Sequence, residues 1–198
     1  QARSVLSAIG TGSRTNKAIS DASGISTNNL AYPFRVLADK RVISTSLPLS
    51  TRPSVDRRYA ASDPYLRFYL RFLDRNYGEI ERGRGRILVP EIIRAWETYL
   101  GLAIEPIGRG AIENLLPDDR FGSARAVGGF WTRDHSVEVD LVGADRSEPP
   151  VNAVAFIGSI KWRQHRPATG TDVAELIHSG AQIAGVAAGT PLVLVSRS

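Results

Sequence analysis

The stretch His135–Arg163, HSVEVDLVGADRSEPPVNAVAFIGSIKWR, holds two apolar runs separated by a polar, proline-bearing turn. Runs of this composition predict two strands, over residues 136–145 and 152–162, whose polar residues would converge if the strands are neighbours in the sheet. The second run also carries Lys161, one of only three lysines in a chain with twenty-two arginines. The position of this lysine therefore suggests a specific role.

Alternation along the two strands groups their polar side chains. Because alternate residues of a strand share a face, Glu138 and Asp140 are expected to point the same way, and so are Ser159 and Lys161. Two carboxylates at one sheet end would hold Mg²⁺, and a lysine beside the ion would orient or deprotonate an attacking water. The alternative is that the carboxylates are solvated and that Lys161 extends to solvent from the end of its strand.

The elements around these strands predict a mixed α/β domain. Helical periodicity covers residues 87–104 and 171–185, and further strands are predicted at 124–132 and 191–196. The order from residue 87 onward is therefore αβββαβ.

The first part of the chain has a different pattern. Three short helices (2–10, 15–24 and 26–41) precede two β-prone runs (41–48 and 57–62), with the polar turn LSTRPSVD between the runs. This is the order of a winged helix-turn-helix. A further apolar helix is predicted over DPYLRFYLRFLDRNYG, with Asp63 as its cap and Pro64 at its first position.

Three short motifs, taken in order, resemble a known family. Trp96-Glu97 lies on a helix, VEVDLV with Asp140 lies on a strand, and GSIKWR (158–163) lies on the next strand. Together with the preceding winged helix and the phrase Tyr59–Asn76, they resemble the C-terminal part of archaeal and bacterial ATPases of the AAA/STAND type, which ends in a PD-(D/E)xK nuclease-like domain. The similarity covers nearly the whole chain.

The resemblance implies a restriction-endonuclease-like fold with Glu97, Asp140 and Lys161 as catalytic residues and with Mg²⁺ as the cofactor. It also implies a P-loop ATPase domain as partner, with ATP bound only in that domain, which lies outside this chain. Where the family pattern has a glutamate two residues before the lysine, this chain has Ser159. A neutral hydroxyl is a far weaker magnesium ligand than a carboxylate, so we expect weak Mg²⁺ binding and a degenerate, weakly active or inactive nuclease centre.

Charge is distributed unevenly along the chain. Residues 1–86 contain fifteen Lys and Arg against seven Asp and Glu, a net charge of +8, whereas the remainder is mildly acidic. A basic first half favours double-stranded DNA as a partner. In a winged helix, the recognition helix and the wing make the contacts. The predicted DNA-binding residues are Asn28, Asn29, Arg35, Lys40, Arg41, Arg52, Arg57 and Arg58.

We predict a winged helix with its appended helix over residues 1–77, a glycine- and arginine-rich linker over 78–86 and the nuclease-like domain over 87–198. The absence of cysteine excludes disulfides and thiolate zinc sites, and no apolar run is long enough to cross a membrane, so a cytoplasmic location is expected. A plain transcription regulator is a third interpretation, weakened because the sequence has no evident ligand pocket or dimer helix, and two functions stand ahead of it. One is a DNA-binding module of an ATPase; the other is a protein-interaction module that regulates the ATPase without catalysis.

Overall fold

A computed structural model describes residues 1–163 and 166–197, and their contacts divide the chain into two compact units. The first unit comprises Gln1–Ser46 and Arg57–Trp96, and the second comprises Leu47–Asp56 and Glu97–Ser198. Helices and sheets occur together, which confirms the mixed α/β class.

The predicted linker region is ordered in the first unit. The structure places the helix Tyr77–Glu81 and the 3₁₀ turn Gly85–Leu88 there. The change from one unit to the other comes later in the chain, after Trp96, inside a continuous helix. The segment Leu47–Asp56 also belongs to the second unit, although the residues on both sides of it belong to the first, and the sequence pattern did not indicate this.

The first unit consists of helices and one two-stranded sheet. In chain order its elements are α1 (Ala2–Gly10), α2 (Asn16–Ser23), a 3₁₀ turn (Thr27–Asn29), α3 (Ala31–Asp39), β1 (Ile43–Ser46), β2 (Arg58–Ala61), α4 (Pro64–Phe68), a π-helical turn (Tyr69–Leu73), a 3₁₀ turn (Asp74–Asn76), α5 (Tyr77–Glu81) and a 3₁₀ turn (Gly85–Leu88). β1 and β2 pair antiparallel, from Ile43 opposite Ala61 to Ser46 opposite Arg58.

Capping side chains set several of these helix starts. The Thr15 hydroxyl accepts a hydrogen bond from the backbone of α2, and the Asp63 carboxylate accepts one from the Leu66 N–H at the start of α4. Pro33 is accommodated because it lies in the first turn of α3, where the N–H has no partner within the helix. The local sequence signals therefore fix these boundaries.

The core of the first unit lies between its first three helices and its hairpin. Val5 and Ile19 are fully buried there, and the rings of Phe34 and Tyr59 stack with their centroids 4.0 Å apart. This stack joins α3 to β2.

The second unit is built on a four-stranded sheet. A long helix, α6 (Val89–Glu113), contains the boundary between the units. It is followed by a 3₁₀ turn (Asp119–Phe121), β3 (Ala126–Trp131), β4 (Glu138–Ala144), β5 (Val154–Lys161), α7 (Gly170–Gly180) and β6 (Leu192–Ser196). The strand order is β3-β4-β5-β6, with β6 parallel to β5 and the other pairs antiparallel.

The two faces of this sheet are covered by different apolar clusters. On one face Ile157 of β5 packs with Leu176 of α7, and on the other Phe156 packs with Phe121. β5 is therefore buried on both sides, and its polar residues are concentrated toward its C-terminal end. In the part of the chain that the structure describes, no helix has both the length and the apolar character needed to cross a membrane.

Candidate functional site

Charged side chains meet where β5 ends and α7 begins. The Arg163 guanidinium donates to both carboxylate oxygens of Asp172, with N–O distances of 3.1 and 2.7 Å. The Lys161 ammonium lies 3.8 Å from the same carboxylate, whose side chain is only 4% exposed. One buried carboxylate is thus shared by two cations, and Lys161 belongs to an ion-pair cluster.

The start of α7 positions Asp172. The N–H and hydroxyl of Thr169, the residue before α7, both donate to this carboxylate, at 2.9 and 3.0 Å. The hydrogen bonds from Arg163 and then from Thr169 hold the pKa of Asp172 well below its usual range. In return, Asp172, followed by the charges of Glu175 and Glu97, raises the pKa of Arg163. Glu97 of α6 therefore acts electrostatically on this cluster.

Asp140 lies at an irregularity in β4. The pairing of β3 with β4 passes from Gly128 opposite Val142 to Phe130 opposite Val139, so β4 has one residue more than β3 over this interval. Such a bulge interrupts the alternation of side chains. Val139 and Val142 consequently pack in the same cluster despite their odd spacing. The predicted common face of the two β4 carboxylates assumed an unbroken alternation, which β4 does not have.

Three donors hold Asp140 in this bulge. Its carboxylate accepts hydrogen bonds from the Ser159 hydroxyl at 2.9 Å and the Ile160 N–H at 2.8 Å, and its backbone carbonyl accepts one from the Arg109 guanidinium at 2.7 Å. Gly129 leaves room for that guanidinium, because a Cβ there would lie 2.8 Å from an Arg109 nitrogen. Asp140 therefore joins β4 to β5 and to α6.

A small polar pocket lies beside the ion-pair cluster. Glu138 lines this pocket, whereas Asp140 is not among the lining residues. The described residues that line it are Glu138, Val139, Ser159, Lys161, Asp172, Glu175, Leu176 and Ser179. Of the predicted catalytic and metal-binding residues, the structure brings Glu138 and Lys161 together here.

Two carboxylates of this region, those of Asp140 and Asp172, already have protein partners. One oxygen of Asp140 already accepts two hydrogen bonds, and Asp172 is engaged by two cations. Mg²⁺ requires free oxygen ligands in near-octahedral geometry. Among residues 1–163 and 166–197, no group of three or more acidic or histidine side chains is arranged to hold a metal. No metal-dependent step is therefore assigned to these residues.

The model of one family, DUF234, described as archaeal and bacterial proteins of unknown function, matches residues 69–173. This match covers more than half of the 198 residues. The chain belongs to the DUF234 family. It matches no curated protein and no solved structure.

The DUF234 match includes Lys161, Thr169 and Asp172 of this cluster, and it ends before Glu175. It also includes Arg163, which sequence reasoning did not select. The spacing Thr169-x-x-Asp172 at a helix start is a capping signal that predicts where Asp172 lies, although it does not identify Arg163 and Lys161 as its partners. The pairing depends on β5 ending beside α7.

The predicted DNA-binding residues of the recognition helix lie outside the DUF234 match, in the first unit. Asn28 and Asn29 are exposed on the 3₁₀ turn before α3, and Arg35 is exposed on α3. Tyr32, which sequence reasoning missed, is 63% exposed, and the Arg35 guanidinium lies 5.7 Å from its ring centroid. Residues 32 and 35 are three positions apart on α3 and lie on the same side of the helix.

The remaining predicted DNA-binding residues lie in different environments. Lys40 and Arg41 are exposed in the turn after α3, and Arg57 is exposed before β2. Arg58 is only 8% exposed, so it is not an accessible phosphate contact. Arg52 is exposed, but it belongs to the segment that packs in the second unit rather than to a free hairpin loop.

Proposed function

We propose that this chain is a DNA-binding module whose first unit is a winged helix that contacts duplex DNA through α3. The exposed face formed by Asn28, Asn29, Tyr32 and Arg35 supports this proposal most strongly. It presents amide and guanidinium donors and an aromatic ring on a chain segment with a net charge of +8. Amide and guanidinium groups are the ones that bind base edges in the major groove, and guanidinium groups also bind the backbone phosphates.

In this proposal the second unit is a restriction-endonuclease-like domain that does not cut DNA. Ser159 supports the loss of cleavage, because its hydroxyl donates a hydrogen bond to an Asp140 oxygen and does not supply the carboxylate that the family pattern has at this position. Asp172 supports it further by pairing with Lys161. By resemblance, the module serves a P-loop ATPase, which binds ATP through a separate domain.

A salt titration of DNA affinity tests the proposal. Binding of a labelled duplex, measured by fluorescence anisotropy from 50 to 200 mM salt, should weaken steeply as counterions are released. Arg35→Ala should weaken binding about tenfold and reduce the slope against salt, because it removes a phosphate or base contact. Arg146→Ala is the matched control: it removes an exposed arginine of the second unit and should leave the affinity unchanged.

Three outcomes would contradict parts of the proposal. If the full chain shows no binding at low salt, or if both arginine variants lose affinity equally, α3 is not the DNA-binding surface. If the chain cuts plasmid with Mg²⁺ or Mn²⁺ and both Asp140→Ala and Lys161→Ala abolish cutting, the second unit is an active nuclease.

An exposed apolar row on α6 supports a second candidate, a protein-interaction module that regulates the ATPase. Val89, Ile93 and Trp96 have helical spacing in the first unit and are 49%, 68% and 38% exposed. A partner that covers this row would bury apolar surface without using DNA. If Ile93→Asp abolished binding to the ATPase domain while DNA binding was undetectable, this second function would be favoured.

A further inference from the structure

The connection between β1 and β2, residues 47–56, packs as part of the second unit and is called the strap. Leu49 is 2% exposed and belongs to the same apolar cluster as Val142 and Ile157 of the sheet. Its N–H donates to the Gly129 carbonyl on β3, the strand at one end of the sheet order, at 2.8 Å. The strap therefore supplies a core side chain to the second unit and covers part of a sheet edge.

Further hydrogen bonds fix the strap along its length, so it is not held by one side chain alone. They are Val151 N–H to Ser50 O at 3.0 Å, Thr51 N–H to Ala184 O at 3.0 Å, and Trp131 Nε1–H to Asp56 O at 2.9 Å. These contacts reach β3 and the loops before β5 and before β6. The strap is thus anchored near both of its ends.

Two glycines of the second unit leave the space that the strap occupies. A Cβ at Gly128 would lie 2.7 Å from a methyl group of Leu49, and a Cβ at Gly185 would lie 2.5 Å from the Thr51 methyl group. Gly185 also has a φ of +99°, a conformation that residues with side chains rarely adopt. Side chains at these positions would displace the strap.

The strap continues directly into the two strands of the first unit. β1 ends at Ser46, one residue before the strap, and β2 begins at Arg58, where Ser46 pairs with it. A hairpin closed by a fixed segment loses less loop entropy on forming than one closed by a flexible segment of the same length. The four paired positions of β1 and β2 therefore gain stability when the strap is held.

We propose that the strap couples the β1–β2 hairpin to the fold of the second unit, so that any change that releases the strap also loosens the hairpin. The coupling runs through the covalent chain and does not depend on DNA binding. It provides a route by which an event in the second unit can alter the first.

Amide hydrogen exchange of the full chain tests this coupling. Leu49→Ala should accelerate exchange about tenfold or more in β3, β1 and β2, because truncating a buried leucine frees the strap. Val55→Ala is the matched control: it lies in the strap with its side chain 83% exposed and should leave all three strands as in the unaltered protein. Amides of α1 are the internal reference and should change less than those of β1 and β2.

Three results would overturn the proposal. In the first, β3 exchanges faster while β1 and β2 stay protected, so that the hairpin is independent. In the second, exchange changes nowhere. In the third, α1 accelerates as much as the hairpin, which indicates global unfolding. If Leu49→Ala does not fold, Leu49→Val gives a smaller release of the strap and the same ordering of effects is expected.

Discussion

Replacing Ser159 by alanine tests whether Asp140 is a structural acceptor. Ser159 is buried, with 7% of its surface exposed, and its hydroxyl donates to the Asp140 carboxylate at 2.9 Å. A hydrogen bond to a charged group contributes about 1.5–3 kcal/mol, and its loss leaves the carboxylate with the Ile160 N–H as its remaining donor from β5. We expect Ser159→Ala to lower the free energy of unfolding of the second unit by about this amount.

Urea unfolding followed by tryptophan fluorescence measures this change, because Trp131 is buried in the second unit. The control is Ser179→Ala, the same substitution on α7 at the same pocket, where alanine favours the helix and the change should stay within about 0.5 kcal/mol. If Ser159→Ala is as stable as this control, Ser159 does not hold Asp140, and the carboxylate is available to a metal ion. The assignment of a closed site would then be wrong.

Three further substitutions give distinct outcomes. Ser159→Glu places a second carboxylate beside Asp140, and repulsion between the two should lower the melting temperature. If Mg²⁺ binds both carboxylates, adding it should raise the melting temperature again. Asp172 has a depressed pKa beside Arg163, so its stabilising effect is present above the unfolded pKa of about 4 and is lost as pH falls. Asp172→Asn should therefore lower the melting temperature at neutral pH and flatten its decline in acid. Gly143→Ala would place a Cβ against the ring of the β5 phenylalanine, and equilibrium unfolding should show a loss of about 1–3 kcal/mol unless the ring can move.

Local patterns predicted the elements well where each element carries its own signals. Asp63 and Pro64 marked the start of a helix, because a cap acts within one turn of the chain. The mixed α/β class follows from the same periodicities. The short motif around Lys161 was also correctly placed at the end of a strand.

The candidate site was harder to predict because its contacts link distant residues. The bulge in β4 depends on how β3 pairs with it, and the ion pair of Lys161 with Asp172 depends on where α7 begins relative to β5. A pattern of apolar and polar residues gives the faces of an isolated strand, but it does not give an extra residue in one of two paired strands. Counting alternate residues therefore does not suffice to place Glu138 and Asp140 on one face of β4.

The amino-acid sequence alone indicates the four strands of the sheet, most of the helices and their order, and the excess of basic residues in the first half. Each of these follows from residues close together in the chain. Three features appear only in the folded chain: Asp172 pairs with Lys161, the Ser159 hydroxyl donates to Asp140, and the β1–β2 connection packs with the second sheet. These are choices among partners far apart in sequence, and burial and hydrogen bonding select them only once the strands have paired.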